Sequence, residues 1–205
     1  KYIASGIADS LADPTFAITP PAQRGFCRGR QLSLNVVDID TYMRMFNILS
    51  GFYNTSGVFK GNICDIPAAM LYDFCNAFPT LLHEWMWLVL NVLKIPKVIL
   101  RVIECLYTSI NAFSSGCGDS SFLFVILGGV RTGCPLSSIL FLLCCNPFID
   151  LVLRLSDSPK LSVTRVCADD FGSALKSLLS LKYQAPIFDL AAKCAGLHLK
   201  PSKCV

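Results

Sequence analysis

Charge is what this chain has least of. Only 16% of its 205 residues are Asp, Glu, Lys or Arg, against roughly 25% in an ordinary globular domain. Histidine is scarcer still, with two residues. There is no internal repeat, no low-complexity tract and no block of like charges. These shortages exclude a disordered tail, a charged coiled coil and a collagen-like array. No C-x-x-C pair exists, and neither His83 nor His198 lies at ligand spacing from two cysteines, which argues against a zinc site. An unbroken apolar run of about 20 residues, the length of a bilayer span, is also missing. The longest uncharged window, Thr132 to Ile149, contains Gly133, Pro135, Ser137, Ser138, Asn146 and Pro147. The N-terminal KYIASGIADS has no apolar core of a secretion signal.

Hydrophobic residues, by contrast, make up 53% of the chain. That content and the length suit one domain, or a large piece of one, with a substantial core. The net charge of +4 permits a nucleic-acid partner without demanding one. The eleven cysteines are odd in number and scattered among apolar neighbours. They read as reduced, buried small hydrophobes. The expected setting is intracellular, nuclear or cytoplasmic, neither secreted nor in a membrane.

Periodicity and punctuation divide the chain. The first 30 residues read as turn-rich and end in Arg24, Arg28 and Arg30. A helix is expected over 31–49, a loop over 51–65 and a buried strand over 68–74. Two helices follow, 81–93 and 97–112, divided by Pro96. A loop over 114–121 leads to a strand over 122–127 and the Gly128-Gly129 turn. A long apolar helix starts at Pro135 or Leu136 and runs to Leu155. Strands over 161–168 and 171–175 flank a tight turn at Asp169-Asp170. A last helix covers 177–195 and stops at Gly196. This order predicts an α+β fold, a small antiparallel sheet covered by helices on one face.

Three features carry chemistry. Asp169 and Asp170 are adjacent carboxylates between apolar runs. Like charges about 4 Å apart repel by about 4 kcal/mol at an effective dielectric near 20, so the pair is either solvated in a turn or faces a cation. Asp73 ends another apolar run, AAMLYDF, where a lone carboxylate needs a partner. If the two strands are neighbours, the three acids form a hard oxygen site of the kind that suits Mg²⁺; otherwise they are unrelated. GVRTGCPLS, 129–137, is a glycine-and-proline turn before a helix, a place where backbone and Arg131 can approach phosphate.

Taken together, these residues resemble the reverse transcriptase domain of non-LTR (LINE-type) retrotransposons. QRGFCRGRQLSLNV, 23–36, is similar to the family's fingers segment. LYDFCNAFPTLLHEW resembles motif A, GVRTGCPLSSILF motif B, CADD motif C and AGLHLKPSKC motif D, in the family's order and spacing. The resemblance implies a right-hand polymerase palm with partial fingers: 1–65 as the fingers segment, 66–205 as the palm, and no thumb. It implies an RNA-directed DNA polymerase taking an RNA or DNA template, a DNA primer and a dNTP, with two Mg²⁺ ions, or Mn²⁺, as cofactors, within a larger polyprotein.

Residue roles follow from the same resemblance. Asp73, Asp169 and Asp170, with the Phe74 carbonyl, would hold the metals. Phe78 would be the steric gate that rejects a ribose 2′-OH; core packing is its other reading. Arg131 and Gly133 would border the nucleotide. Lys203, or Lys200, would protonate pyrophosphate as a general acid, or simply face solvent. Arg24, Arg28 and Arg30 would touch template phosphates, or line a solvated face. Thr132, Cys167 and Pro79 depart from the family, which commonly has glutamine, an aromatic residue and aspartate there. Those departures, and the expectation that the chain lacks the basic fingers hairpin and the thumb, keep open a second reading: an idle relict that at most binds nucleic acid or a protein partner.

Overall fold

The computed structural model describes residues 2–51, 62–116, 119–157 and 160–205. Its centre is a three-stranded antiparallel sheet in the order β1-β5-β4, formed by β1 (Ala68–Tyr72), β4 (Ser162–Cys167) and β5 (Asp170–Leu175). The register pairs Tyr72 with Phe171 and Cys167 with Asp170. Two unlabelled segments widen the sheet. Residues 22–24, from the region read as fingers, run parallel to β4: Val166 N–H donates to Ala22 and Arg24 N–H to Val166, both at 2.8 Å. At the other edge the chain after residue 197 runs antiparallel to β1, with Lys200 N–H donating to the Asp73 carbonyl and Leu71 N–H to Val205.

Both faces of the sheet are covered, not one. On the core side, α7 (Leu181–Ala195) packs Phe188 against Tyr72 and edge-on against Phe171. Gln184 of the same helix accepts from Tyr72 Oη and donates to hydroxyls of the sheet such as Ser162 and Thr164. On the opposite side, α2 (Ser33–Ser50) lies across β4 and β5. Asn35 donates to the Val166 carbonyl, Asp38 pairs with Arg165, and Ile39 fills the space where a Cβ on Gly172 would stand. Half-buried polar residues facing the sheet, Asn35 and Asp38, disguise this second sheet-covering helix.

The remaining helices build the core. α6 (Ser137–Val152) is apolar on all sides and buried on nearly all of them, as a central helix must be. With its π-helical extension to Asp157 it is long and apolar enough to cross a membrane by composition, and here it is packed inside the fold. α4 (His83–Val92) stacks Trp85 on Phe148 of α6, and α5 (Lys97–Tyr107) buries Ile103 and Tyr107. Among the described residues every cysteine is a free thiol, and burial pushes the Cys144 and Cys145 thiols up.

Two other expectations fail. Tyr2–Ile18 is a helix, α1, rather than turns. Its buried positions Ala4, Ala8, Leu11 and Thr15 follow helical spacing, but small residues give too weak an apolar stripe to read, and Pro14 obscures it further. The second of the paired helices ends at Tyr107, because β2 (Ile110–Gly116) begins there and pairs with β3 (Asp119–Ile126). The alternation of this hairpin is broken by a bulge at Ala112/Phe113, and its serines and glycine read as a loop. The loop expected over 51–65 lies largely outside the described residues, apart from a short 3₁₀ turn at Ile63–Asp65.

Candidate active site

The site grows from the end of β1 and the turn between β4 and β5. That turn consists of Ala168 and Asp169, and Asp170 is the first residue of β5. Continuing the β1–β5 register beyond Tyr72 and Phe171 sets Asp73 opposite Asp170. Cross-strand partners share a face, so both carboxylates lie on the α2 side. They line a cleft of about 520 Å³ together with Cys167, Arg165 and Lys203. Asp169 instead lines an adjoining cleft of about 450 Å³ with Phe78, Phe26, Arg131, Thr132 and Gly133. The three acids thus stand between two clefts.

The acids feel one another. Burial pushes the Asp169 carboxyl above its ordinary range, and the Asp73 charge adds to the rise. Asp170 is raised by burial first, then by Asp169 and Asp73. Lys203 arrives along the C-terminal segment beside β1, and its Nζ lies 3.0 Å from Asp73 Oδ2. That contact, a hydrogen bond to a carboxylate, holds the ammonium pKa above its usual value. Apart from the lysine, Asp73 Oδ2 is shut off from solvent without a hydrogen-bond partner.

The second cleft is braced from below. Gly129 N–H donates to the Leu81 carbonyl, Val130 N–H to the Phe78 carbonyl, and His83 Nε2 lies 2.9 Å from the Gly129 oxygen. A Cβ at Gly129 would come within 2.4 Å of the Pro79 oxygen, so this approach requires glycine. The loop therefore holds Arg131 and Gly133 beside α3 (Ala77–Thr80), which carries Phe78. The Phe78 ring is stacked on Phe141 at 4.5 Å and meets Phe26 edge-on at 5.9 Å. Arg131 lies over the Tyr107 ring at 5.4 Å.

No family model and no curated protein matches the sequence. Solved structures do. Telomerase from Candida albicans in complex with the TWJ fragment of telomeric RNA superposes with a TM-score of 0.65 at 14% identity, covering 99% of this chain and 34% of that one. Telomerase from Candida tropicalis in its complex with the TWJ fragment gives 0.68 at 11% identity over 97% of this chain and 32% of that one. The apo Candida tropicalis enzyme truncated from its C-terminal domain gives 0.62 at 12% identity, covering 100% and 39%. The likeness to these telomerases is one of fold, a reverse transcriptase-like fold. The chain spans about a third of the length of these structures.

Within this polymerase-like fold, the expected site residues separate into those that converge and those that do not. Asp73, Asp169, Asp170, Lys203, Phe78, Arg131 and Gly133 surround the two clefts. Phe74 is buried against Phe171 and Phe188. Backbone groups alternate sides along a strand; Asp73 and Cys75 pair with the C-terminal segment, so the Phe74 carbonyl faces the carboxylate turn. Two arginines are corrected. Arg24 is turned inward onto Asp38 and Asn35, and Arg30 donates to the carbonyls of Phe16, Thr19, Pro20 and Gln23, closing the end of α1. Their guanidinium groups serve the fold, and Arg28 alone of the three is exposed.

The donor set suits a hard divalent cation: carboxylates, a backbone carbonyl and a buried Asp73 oxygen whose neighbour is already a cation. Among the described residues no three His, Cys, Asp or Glu side chains are drawn into a closed ligand cluster. Two residues that sequence reasoning passed over touch the turn directly. Gln23 hydrogen-bonds Ala168, and Gly25 packs against its backbone. Their only sequence signal was the QRG spacing in a segment read for its arginines.

Proposed function

We propose that this chain is the fingers–palm portion of an RNA-directed DNA polymerase of the non-LTR retrotransposon type, part of a larger polyprotein. The observation that carries the reading is the placement of Asp73 beside the Asp169-Asp170 turn at the edge of a polymerase-like sheet. Asp73, Asp169, Asp170 and the Phe74 carbonyl would hold two Mg²⁺ ions, with Mn²⁺ as a substitute. Such ions supply activation of a primer 3′-OH and neutralise charge on the departing pyrophosphate.

The chain's own residues supply the rest. A primer 3′-oxygen forms the new bond to the dNTP α-phosphorus as the bond to pyrophosphate breaks. Lys203, protonated and beside Asp73, donates a proton to that leaving group, and the 3′-OH proton passes to water. Arg131 and the glycine-permitted backbone at Gly133 border the triphosphate. Phe78, held between Phe141 and Phe26, presents a fixed ring to the sugar and selects dNTPs. Arg28 contacts template phosphate, which contributes affinity without sequence information.

Primer extension on poly(rA)/oligo(dT) with Mg²⁺, comparing the chain with Asp169→Ala, tests this reading. Extension by the first and not the second is expected. Equal signal from both, or none from either, overturns it and leaves a fold that binds nucleic acid at most.

A further inference from the structure

Gln23 is completely buried and lies outside the carboxylate group. Its side-chain amide behaves as a second peptide unit against the turn. Nε2 donates to the Ala168 carbonyl at 3.0 Å, and Oε1 accepts from Ala168 N–H at 2.9 Å and from Gly25 N–H at 2.7 Å. Both backbone groups of Ala168 are thereby paired by one side chain. Without it they would be buried polar groups lacking partners. Ala168 has φ 59, a conformation that a residue with a Cβ holds only under constraint from its surroundings.

Gln23 is itself fixed. Its backbone neighbours are zipped to Val166, and Arg30 Nη1 donates to its carbonyl. Gly25 brings the strap against the turn: a Cβ there would lie 2.1 Å from the Ala168 nitrogen. The strap, the turn and the glutamine form one rigid unit that ends at Asp169.

We propose that Gln23 is a positioning residue, whose amide locks the Ala168–Asp169 turn so that Asp169 and Asp170 are presented to the same space as Asp73. This rests on reading those acids as a divalent-metal site. It assigns the fingers-side strap a part in that site that none of its arginines requires.

The test uses amide hydrogen exchange, and Mn²⁺ titration followed by paramagnetic broadening of amide resonances, on the full chain. Gln23→Met removes both the donor and the acceptor. Gln23→Glu keeps the acceptor and is the milder variant should the first fail to fold. Arg24→Ala, in the same strap but turned toward α2, is the control for general loosening. In Gln23→Met, Ala168 exchange should rise about tenfold beyond any change in the β4–β5 ladder. Mn²⁺ affinity should fall about tenfold, as when other groups that orient metal ligands are removed. Gln23→Glu should keep Ala168 N–H protected while losing part of the affinity, and Arg24→Ala should do neither. Exchange at Ala168 that moves only in step with the ladder overturns the lock. Faster exchange with unchanged affinity overturns the positioning role. If the unaltered chain shows no Mn²⁺ broadening near Asp73 and Asp169, the metal reading and the positioning role fall together, and the exchange result reports the lock alone.

Discussion

Replacing Gly25 by alanine adds one methyl group at an exposed-looking turn in the sequence, yet it should be among the most damaging small changes in this chain. The ideal Cβ meets the Ala168 nitrogen at 2.1 Å, the Cys167 carbonyl carbon at 2.8 Å and the Ala168 Cα at 2.9 Å. All three are backbone atoms, so no side chain can swing aside. Reaching ordinary contact, 3.4 Å or more, requires strap and turn to part by more than 1 Å. The three hydrogen bonds of the Gln23 amide, 2.7 to 3.0 Å long, do not survive such a shift. Overpacking costs roughly 1–3 kcal/mol, and each lost hydrogen bond about 1 kcal/mol net. The total of about 4–6 kcal/mol is a large part of a domain's stability of roughly 5–15 kcal/mol. Gly29→Ala is the comparison: it has φ +82 but nothing within 4 Å, so it should cost only about 1–2 kcal/mol. Urea unfolding, read as the midpoint with an unchanged slope, decides the matter. An unfolded Gly25→Ala chain meets the prediction. A Gly25→Ala protein no less stable than Gly29→Ala refutes the close approach of strap and turn.

Three further outcomes follow. Asp169 and Asp170 have carboxyl pKa values above the ordinary 3.8 in the folded chain, so the folded state binds more protons than the unfolded state just above that pH. Metal-free stability should therefore fall as pH rises through this window, and Asp170→Asn, uncharged throughout, should melt higher than the unaltered chain at pH 7 with the gap closing toward pH 3.5, as calorimetry would show. Lys203→Met removes the cation from Asp73 Oδ2 and should tighten Mn²⁺ binding in a calorimetric titration; weaker binding would contradict the competition. Phe78→Val should raise rNTP incorporation relative to dNTP by roughly 10–200-fold, the range a small steric difference commands, in single-nucleotide extension; an unchanged ratio would make the ring a core residue only.

What was legible in the sequence had strong local causes. The alternation of VTRVCA, the acids that interrupt it, the apolar run before Asp73 and the stop at Gly196 (φ 73) each name their element without help from distant residues. The α6 helix announced itself through continuous apolarity. What was not legible depends on partners remote in sequence. A count of arginines says nothing about whether Asp38 or a carbonyl awaits each one, and so Arg24 and Arg30 looked like phosphate ligands. α1 is held by Ala4 and Ala8 together with Ile7, Leu11 and Phe16, a face that only packing picks out. Gln23 carries no charge and sits in no periodic pattern; its importance comes entirely from Ala168, at the end of the adjacent strand but 145 residues away in sequence.

The central claim is that Asp73, Asp169 and Asp170 act as one divalent-metal site. Titration of Mn²⁺ followed by the electron paramagnetic resonance signal of the free ion tests it most directly. Saturable loss of that signal with the unaltered chain, weakened at least about tenfold by Asp73→Asn and by Asp169→Asn alike, is the predicted result. Equal uptake by all three proteins, or none by the unaltered chain, would contradict it.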